Sequence, residues 1–199
     1  MTVDGTHAAE RVDTDLIAQS RAGDITAFER LFNKYQKRVY NLIYRMVGNE
    51  QDAADLTQEV FVRVYNSLHN LKSEVAFLAW VRTVATNICR DHFRKIGRTI
   101  KTNSLDEKFS LDEGKVEREI ADWSSNPEQV FEKKDLRNSV QKAISSLSEE
   151  HRTVIVLHHI ESMDVQDIAK QLGIPVGTVK SRLARAREDL KRKLGHYVA

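Results

Sequence analysis

The chain has 199 residues, of which 41% are hydrophobic and 30% charged, a composition typical of globular domains with a charged surface. Two prolines and eight glycines favour helices over a turn-rich sheet fold. A single cysteine excludes an internal disulfide framework and a multi-cysteine zinc site. The apolar runs are too short to span a membrane, and the first residues lack the basic and apolar regions of a signal peptide. We therefore expect a cytoplasmic protein with one medium or two small domains.

Charge is distributed unevenly along the chain, although the formal net charge is only +2. Residues 175–199 hold seven Lys or Arg against two acids, whereas residues 104–132 hold three bases against nine acids. A basic end is typical of a nucleic-acid-binding segment. A solvated helix face explains the same charges, so charge alone leaves both interpretations open.

The first elements in chain order are a tail and two helices. Residues 1–13 are polar without a period, so we expect a flexible tail. Apolar residues recur at helical spacing from Asp15 until Gly23, a stop signal followed by the capping residue Asp24. The next stretch, which ends at Gly48, is predicted to be one long amphipathic helix.

Two further helices are predicted before the periodicity ends. One covers about 51–68, and another, capped by Ser73, covers about 74–96. Together with the long helix they present enough apolar surface to close one helical domain over residues 14–97. Residues 98–125 are polar, acidic at the centre and weakly periodic, which predicts a flexible linker.

A second helical domain is predicted over residues 126–199. Asn126, Pro127 and Gln129 provide a helix cap, a first helical residue and the partner of a capping box. Ser148 is expected to cap a further helix. The predicted fold is therefore all-α, with two small helical domains joined by a flexible acidic linker.

Residues 164–190 have the pattern of a helix-turn-helix. Asp164 can cap a short helix that ends at Gly173, where glycine adopts a left-handed turn at low cost, and Pro175 favours the start of the next helix. The alternative is an ordinary helical hairpin, but spacing, turn and charge agree on the DNA-binding motif. The outward face of the second helix presents side chains that donate to phosphates and purine edges in the major groove: Thr178, Lys180, Ser181, Arg182 and Arg185.

Two helices of the first domain carry polar side chains suited to binding. In DAADLTQEVFVRVY the exposed side, opposite the apolar positions, holds Asp52, Asp55, Gln58, Glu59 and Arg63. In FLAWVRTVATNICRDHFRK aromatic, amide and basic groups alternate: Trp80, Arg82, Asn87, Arg90, His92, Arg94 and Lys95. Rings stack on bases while cations hold the backbone, which suits single-stranded or distorted DNA. On composition alone, core aromatics beside a solvated face are the favoured explanation of this helix.

These two blocks, followed by IPVGTVKSRLARAREDLK, resemble bacterial RNA polymerase sigma factors, and in particular the extracytoplasmic-function (ECF) group of the sigma-70 family. The resemblance covers about residues 14–97 and 126–195, with the motif blocks in the same order and separation. It implies a sigma region 2 domain over 14–97 and a sigma region 4 domain over 126–199. It also implies an initiation factor with no reaction of its own.

The resemblance assigns a role to each polar face. One polar face matches the segment that binds the clamp helices of the polymerase β′ subunit, with further contact to β. This face consists of Asp52, Asp55, Gln58, Glu59 and Arg63. The helix with Trp80 to Lys95 matches the segment that opens and reads the −10 element, and Asn87 falls where the family lines a pocket for a flipped base of the non-template strand. An amide can read such a base with one donor and one acceptor. Trp80 matches a family aromatic but is expected to lie mostly in the core.

The C-terminal face and the linker also have implied roles. Lys180, Ser181, Arg182 and Arg185 match the helix that reads the duplex −35 element, whereas Ala184 stands where some relatives carry a large aromatic. The acidic linker would enter a basic polymerase channel near the nascent RNA. An anti-sigma factor is the expected inhibitor, because both DNA surfaces of such a factor must be masked.

Other readings of the sequence receive less support. Cys89 is expected to be a small buried cysteine rather than a redox switch. His158 and His159 lack partners at metal-ligand spacing, and no phosphate loop or nucleophile motif is present, so we expect no enzyme, no metal and no cofactor. A stand-alone helix-turn-helix regulator with an N-terminal sensor or dimerisation domain is the principal alternative, and a protein-interaction module with an incidental basic tail is another.

Overall fold

The structure is a computed structural model. It describes the backbone of residues 4–71, 73, 76–103 and 127–195, and the side chains of residues 13–71, 73, 76–97 and 136–195. Every regular element in these ranges is helical, which confirms the predicted all-α class. The elements are α1 (Asp4–Arg21), α2 (Ile25–Val47), α3 (Glu50–Ser67), a 3-10 turn (Leu68–Asn70), α4 (Phe77–Asn103), α5 (Pro127–Ser145), α6 (Glu149–Ile155), a π-helical turn (Val156–Ile160), α7 (Val165–Leu172) and α8 (Val176–Leu194).

Helices α1–α4 form an N-terminal bundle around the apolar face of α2. The Asp24 carboxylate caps α2 by accepting from the backbone N–H groups of Thr26 at 2.8 Å and Ala27 at 3.2 Å. The helix ends at Gly48, whose φ of 79° lies in the left-handed region. Asn49 then caps α3 through a 2.9 Å bond from the Asp52 N–H. These local signals therefore place α2 and α3 as predicted.

Two element boundaries differ from the predictions. Helix α1 begins at Asp4, so the predicted tail over residues 1–13 is wrong from Asp4 onward. That segment has no proline and contains the good helix formers Ala8, Ala9, Glu10 and Arg11, which favour a helix without an apolar period. Helix α4 begins at Phe77 rather than near residue 74 and continues to Asn103, into the predicted linker. Residues 104–126 lie outside the described residues, as does most of the predicted linker.

Helices α5–α8 form a C-terminal bundle. Ser148 caps α6 through the His151 N–H, and Asp164 caps α7 through the Asp167 N–H at 2.8 Å. Helix α7 ends at Gly173, whose φ of 66° makes the left-handed turn predicted for the helix-turn-helix. Helix α8 then packs on α6 and α7, and Val179, Leu183 and Ala186 are its buried residues.

The two bundles pack against each other, and one apolar cluster runs through both. The Arg152 guanidinium of α6 donates to the Met46 carbonyl at the end of α2 at 2.6 Å. It also donates to the carbonyls of Ser145 and of Leu147, the latter at 3.0 Å. Arg45 of α2 donates to the buried Gln141 of α5 at 2.8 Å. This packing was not predicted from the sequence.

Candidate nucleic-acid interface

Helix α3 presents the polar face predicted to bind polymerase. Asp55, Gln58, Glu59 and Arg63 are exposed on it, and Asp52 is half-buried. The opposite face buries Ala53, Leu56, Val60 and Val64 in the core. Arg63 donates to Glu59 at 3.0 Å, one helical turn away. The face therefore combines acidic, amide and basic groups, all of them exposed except the half-buried Asp52.

Helix α4 carries the predicted single-strand-binding residues at differing depths. Asn87, Arg94 and Lys95 are exposed, whereas Trp80, Arg82, Arg90 and His92 are half-buried. Trp80 packs on the core beside Phe77, with ring centroids 6.3 Å apart, as its expected core role requires. The exposed Asn87 amide is available to read a base edge.

A histidine connects the α3 and α4 surfaces. His92 Nε2 lies 3.5 Å from an Asp52 carboxylate oxygen, so the two helices are linked at the edge of their polar faces. A groove between them is lined by Leu56, Glu59, Arg63, Ile88, Asp91, His92, Arg94 and Lys95. The predicted polymerase-binding and −10-reading residues thus form adjoining surfaces.

Helix α8 presents the predicted duplex-reading residues. Lys180, Ser181 and Arg185 are exposed, and Thr178 and Arg182 are half-buried. Arg182 Nη2 lies 2.8 Å from a Glu150 carboxylate oxygen of α6, which holds the guanidinium close to the bundle. The Ser181 hydroxyl donates to the Thr178 carbonyl at 3.0 Å. The face of α8 thus has exposed hydrogen-bond donors on Lys180, Ser181 and Arg185, beside the ion-paired Arg182.

The sequence did not predict that acidic residues of the C-terminal bundle, Glu149 and Glu161, lie near arginines of α4. Glu161 follows the π-helical turn and lies 3.4 Å from Arg38 of α2 and 4.0 Å from Arg82 of α4. Burial raises the pKa of Glu149, while the nearby Arg90 and Arg94 of α4 act in the opposite direction. Such pairs join residues distant in sequence and produce no periodic signal.

Cys89 and the histidine pair behave as structural residues. Cys89 is fully buried, and burial raises the pKa of its thiol to about 12, so the reactive thiolate is suppressed. His158 Nδ1 lies 2.8 Å from the Met163 carbonyl, and His159 Nε2 lies 3.1 Å from Arg187 Nε. Within the described ranges, no group of three or more His, Cys, Asp or Glu residues is placed to hold a metal ion. None of the helices in the same ranges has the length and apolar character needed to cross a membrane.

Two family models match the two bundles. The model of sigma-70 region 2 matches residues 31–99, and that of sigma-70 region 4 matches residues 137–190. The chain therefore carries the two regions of a sigma-70 type protein, in that order.

Two relatives show to which group of sigma-70 proteins this chain belongs. The ECF RNA polymerase sigma factor SigW of Bacillus subtilis is 35% identical over 179 residues, covering 89% of this chain and 94% of the relative. The ECF RNA polymerase sigma-E factor of Escherichia coli K12 is 33% identical over 184 residues, covering 92% and 94%. The chain belongs to the ECF sigma factors of the sigma-70 family. It is a promoter-directing initiation factor and not an enzyme.

Solved structures share the fold. The sigma factor RpoE of Bartonella quintana, in complex with the anti-sigma factor NepR, superposes with a TM-score of 0.65 at 22% identity, covering 86% of this chain and 98% of that one. CnrH, in complex with the cytosolic domain of CnrY, gives 0.62 at 23% identity, covering 93% and 98%. Both support the all-helical fold seen here.

Proposed function

We propose that this sigma factor uses three separate surfaces for three contacts of initiation. The exposed face of α3 binds the β′ clamp helices of core polymerase, with further contact to β. Helix α4 reads and opens the −10 element, and α8 reads the duplex −35 element. The factor acts in the cytoplasm, where it meets polymerase and promoter DNA, and residues 14–97 and 126–199 are its two functional domains.

One observation carries the assignment. The same chain exposes Asn87 on α4 and Arg185 on the second helix of a helix-turn-helix. A stand-alone regulator needs only the second of these, because duplex readout in the major groove does not require a surface for unpaired bases. Two DNA-reading surfaces of different kinds are what a promoter-opening factor needs.

For the polymerase contact, the arrangement of charge on α3 is the supporting feature. Asp55 and Glu59 stand one helical turn apart, with Gln58 beside them, and all three are exposed. Acidic groups on a rigid helix attract a basic partner surface and fix its register. We propose that the polymerase β′ clamp helices supply that surface.

For the −10 contact, Asn87 is the proposed reader of a flipped non-template base. Its exposed amide has one oxygen acceptor and two N–H donors, enough to pair with a Watson–Crick edge. Arg90, Arg94 and Lys95 lie further along α4 and would hold the strand backbone. No covalent chemistry is involved, and opening follows from capture of unpaired bases.

For the −35 contact, the proposed readers are Lys180, Ser181, Arg182 and Arg185. Arginine forks can recognise guanine in the major groove, and each such pair contributes about 1–3 kcal/mol of discrimination. Thr178 lies at the start of the same face. Since the two bundles belong to one chain, binding of either promoter element raises the effective concentration of the other bundle at its own element.

An anti-sigma factor is the proposed inhibitor. The fold is shared with RpoE of B. quintana, which was solved with the anti-sigma factor NepR. We extend that kind of partnership to this chain. A pull-down from the native host, followed by identification of the co-purified protein, tests it.

The test of the main proposal is in vitro transcription with purified bacterial core polymerase and a library of promoter fragments. We expect factor-dependent transcripts from a subset that shares two spaced elements. The double variant Arg182→Ala, Arg185→Ala should reduce these transcripts at least about tenfold, because each arginine contributes about 1–3 kcal/mol. Lys37→Ala is the control, since this exposed cation lies on α2, outside the helix-turn-helix.

Two outcomes would contradict the proposal. Unchanged promoter-specific transcription in the arginine double variant would remove the −35 role of α8. No stimulation of polymerase, together with tight binding of the free protein to duplex DNA, would favour the stand-alone regulator.

A further inference from the structure

The ion pair between α6 and α8 has a role in DNA reading. We propose that Glu150 is a positioning residue, whose carboxylate fixes the Arg182 guanidinium so that this arginine recognises one guanine of the −35 element. Glu150 itself acts through Arg182 and touches no base. This inference rests on the proposed function for the role of α8, whereas the ion pair is a feature of the fold and is independent of that role.

Arg182 lies on the flank of α8 and not on its outermost face. It directly precedes the buried Leu183 and follows the buried Val179 by about one helical turn. Successive residues of a helix are about 100° apart around its axis, so Ser181 and Arg185 project away from the core while Arg182 projects beside it. Only 22% of the Arg182 side chain is exposed. A long side chain that starts at the flank samples many rotamers, so it needs a partner that fixes its end.

Glu150 is placed to be that partner. One of its carboxylate oxygens lies 2.8 Å from Arg182 Nη2. Glu150 stands in the first turn of α6, which Ser148 caps by accepting from the His151 N–H, and α6 packs on α8. The carboxylate is therefore carried by a fixed helix end, where the helix dipole also favours a negative charge. Since a guanidinium has five N–H donors, the ion pair leaves donors for a base edge.

The ion pair favours a base over a phosphate as the target of Arg182. Because the carboxylate cancels the guanidinium charge, the pair as a unit contributes little attraction to the DNA backbone. The remaining N–H donors are held in one geometry, which suits the O6 and N7 acceptors of guanine in the major groove. Among the described residues, neither Lys180 nor Arg185 has an acidic partner. These two side chains therefore supply the attraction to phosphates.

A second polar contact of α8 provides an internal comparison. Arg187 Nε lies 3.1 Å from His159 Nε2 of the π-helical turn. This contact also ties α8 to the rest of its bundle, but Arg187 is not one of the proposed readers. If Glu150 steadied only α8 as a whole, loss of either contact would weaken DNA reading in the same way. If Glu150 acts through Arg182, its loss changes the recognition of one base pair and loss of the His159 contact does not.

The test is in vitro transcription with the full chain and core polymerase, from promoters that differ from a selected one by single base pairs in the −35 element. We expect Arg182→Ala to reduce the preference for guanine at one position at least about fivefold, the lower limit for an arginine–guanine pair. Glu150→Ala should reduce the preference at the same position, and the double variant should be no worse than Arg182→Ala alone. The controls Glu29→Ala, at an exposed acid of α2, and His159→Gln should keep the native preference at every position.

A second variant separates the charge of Glu150 from its hydrogen bond. Glu150→Gln keeps an oxygen that can accept from Arg182 but removes the charge that cancels the guanidinium. We expect most of the guanine preference to remain, while promoter binding becomes more dependent on salt, with the log–log slope steeper by about one. A role confined to the stability of α8 would change neither quantity in this way. A surface ion pair contributes little to stability, so both Glu150 variants should fold like the native chain.

Three results would overturn the inference. The first is a native guanine preference in Glu150→Ala at the position where Arg182→Ala loses it. The second is a uniform loss at all −35 positions in Glu150→Ala, which would show that Glu150 supports α8 as a whole. The third is a position-specific effect of Arg185→Ala with none for Arg182→Ala, which would leave the −35 role of α8 in place. If the native chain gives no promoter-specific transcripts at all, the proposed function itself fails and the inference falls with it.

Discussion

Arg152 stacks on Phe93, with 5.3 Å between the guanidinium carbon and the ring centroid, although the two residues belong to different bundles. The same guanidinium donates to carbonyls that end α2 and α5, so one side chain satisfies helix termini in both bundles. Burial lowers the pKa of Arg152 from its usual value, and Glu149 partly offsets this. An arginine pKa nevertheless stays far above neutrality, so the group remains charged.

We predict that Arg152→Lys destabilises the protein even though it keeps the charge. A lysine cannot reproduce the planar fork that reaches several carbonyls, and loss of charged hydrogen bonds costs about 1–3 kcal/mol. Thermal unfolding should show a Tm lower by about 5 °C. Arg192→Ala is the control, since Arg192 is 76% exposed and its ion pair with Asp189 lies at the surface. Equal Tm values for the two variants would contradict the role given to Arg152.

Gly48 and Gly23 form a matched pair for testing the contact between the bundles. Both have positive φ, 79° and 100°, so alanine is strained at either position. At Gly48 the added Cβ would lie 3.2 Å from Ser145 Cβ, whereas at Gly23 none of the described residues would lie within 4 Å of it. We therefore predict that Gly48→Ala increases the radius of gyration in small-angle scattering, while Gly23→Ala leaves it unchanged. An unchanged radius of gyration for both variants would show that the contact accommodates the added Cβ without separation of the two bundles.

His159 predicts a pH dependence of stability. Burial, Arg187 and His158 lower the pKa of His159 below the usual value for histidine, and its neutral Nε2 is placed to accept from Arg187 Nε. The unfolded chain therefore binds more protons than the folded chain near pH 6, and stability falls as pH drops below about 6.5. We expect His159→Gln to lose less Tm between pH 7.5 and pH 5.5 than the native protein. An identical loss would assign the acid sensitivity to other groups.

The cap of α7 is a local determinant of the helix-turn-helix. Asp164 accepts from the Asp167 N–H at 2.8 Å, and removing such a cap costs about 1 kcal/mol. We expect Asp164→Ala to lower the stability measured by urea unfolding by that amount. Asp164→Ser, which keeps a capping oxygen, should recover most of it. A serine variant as unstable as the alanine variant would show that the carboxylate acts in another way.

Helix caps and turns that depend on only a few neighbouring residues could be predicted from the sequence. Asp164, Gly173 and Ser148 occupy the capping and turn positions predicted for them, because each bonds or turns within its own helix end. The start of α1 was missed because its first residues have helix propensity without an apolar period. The extension of α4 to Asn103 was missed for a similar reason, since its last turns contain few apolar positions.

The relation between the bundles could not be read in this way. Gln171 bonds Thr86 across 85 residues of chain, and Arg152 bonds Met46 across 106. Such pairs depend on how two finished surfaces meet, which helical periodicity does not specify. The roles of the α3, α4 and α8 residues stay predictions, although the structure places Asp55, Asn87 and Arg185 at exposed positions where partners can reach them.

The contact between Glu161 and Arg82 lies within one chain, and this has a consequence for dosage. A contact between separate molecules weakens on dilution, whereas the local concentration of one bundle at the other is fixed by the chain that joins them. Making more of the protein therefore leaves the fraction of molecules that hold this contact unchanged. Only a ligand that binds more tightly to molecules without the contact can change that fraction.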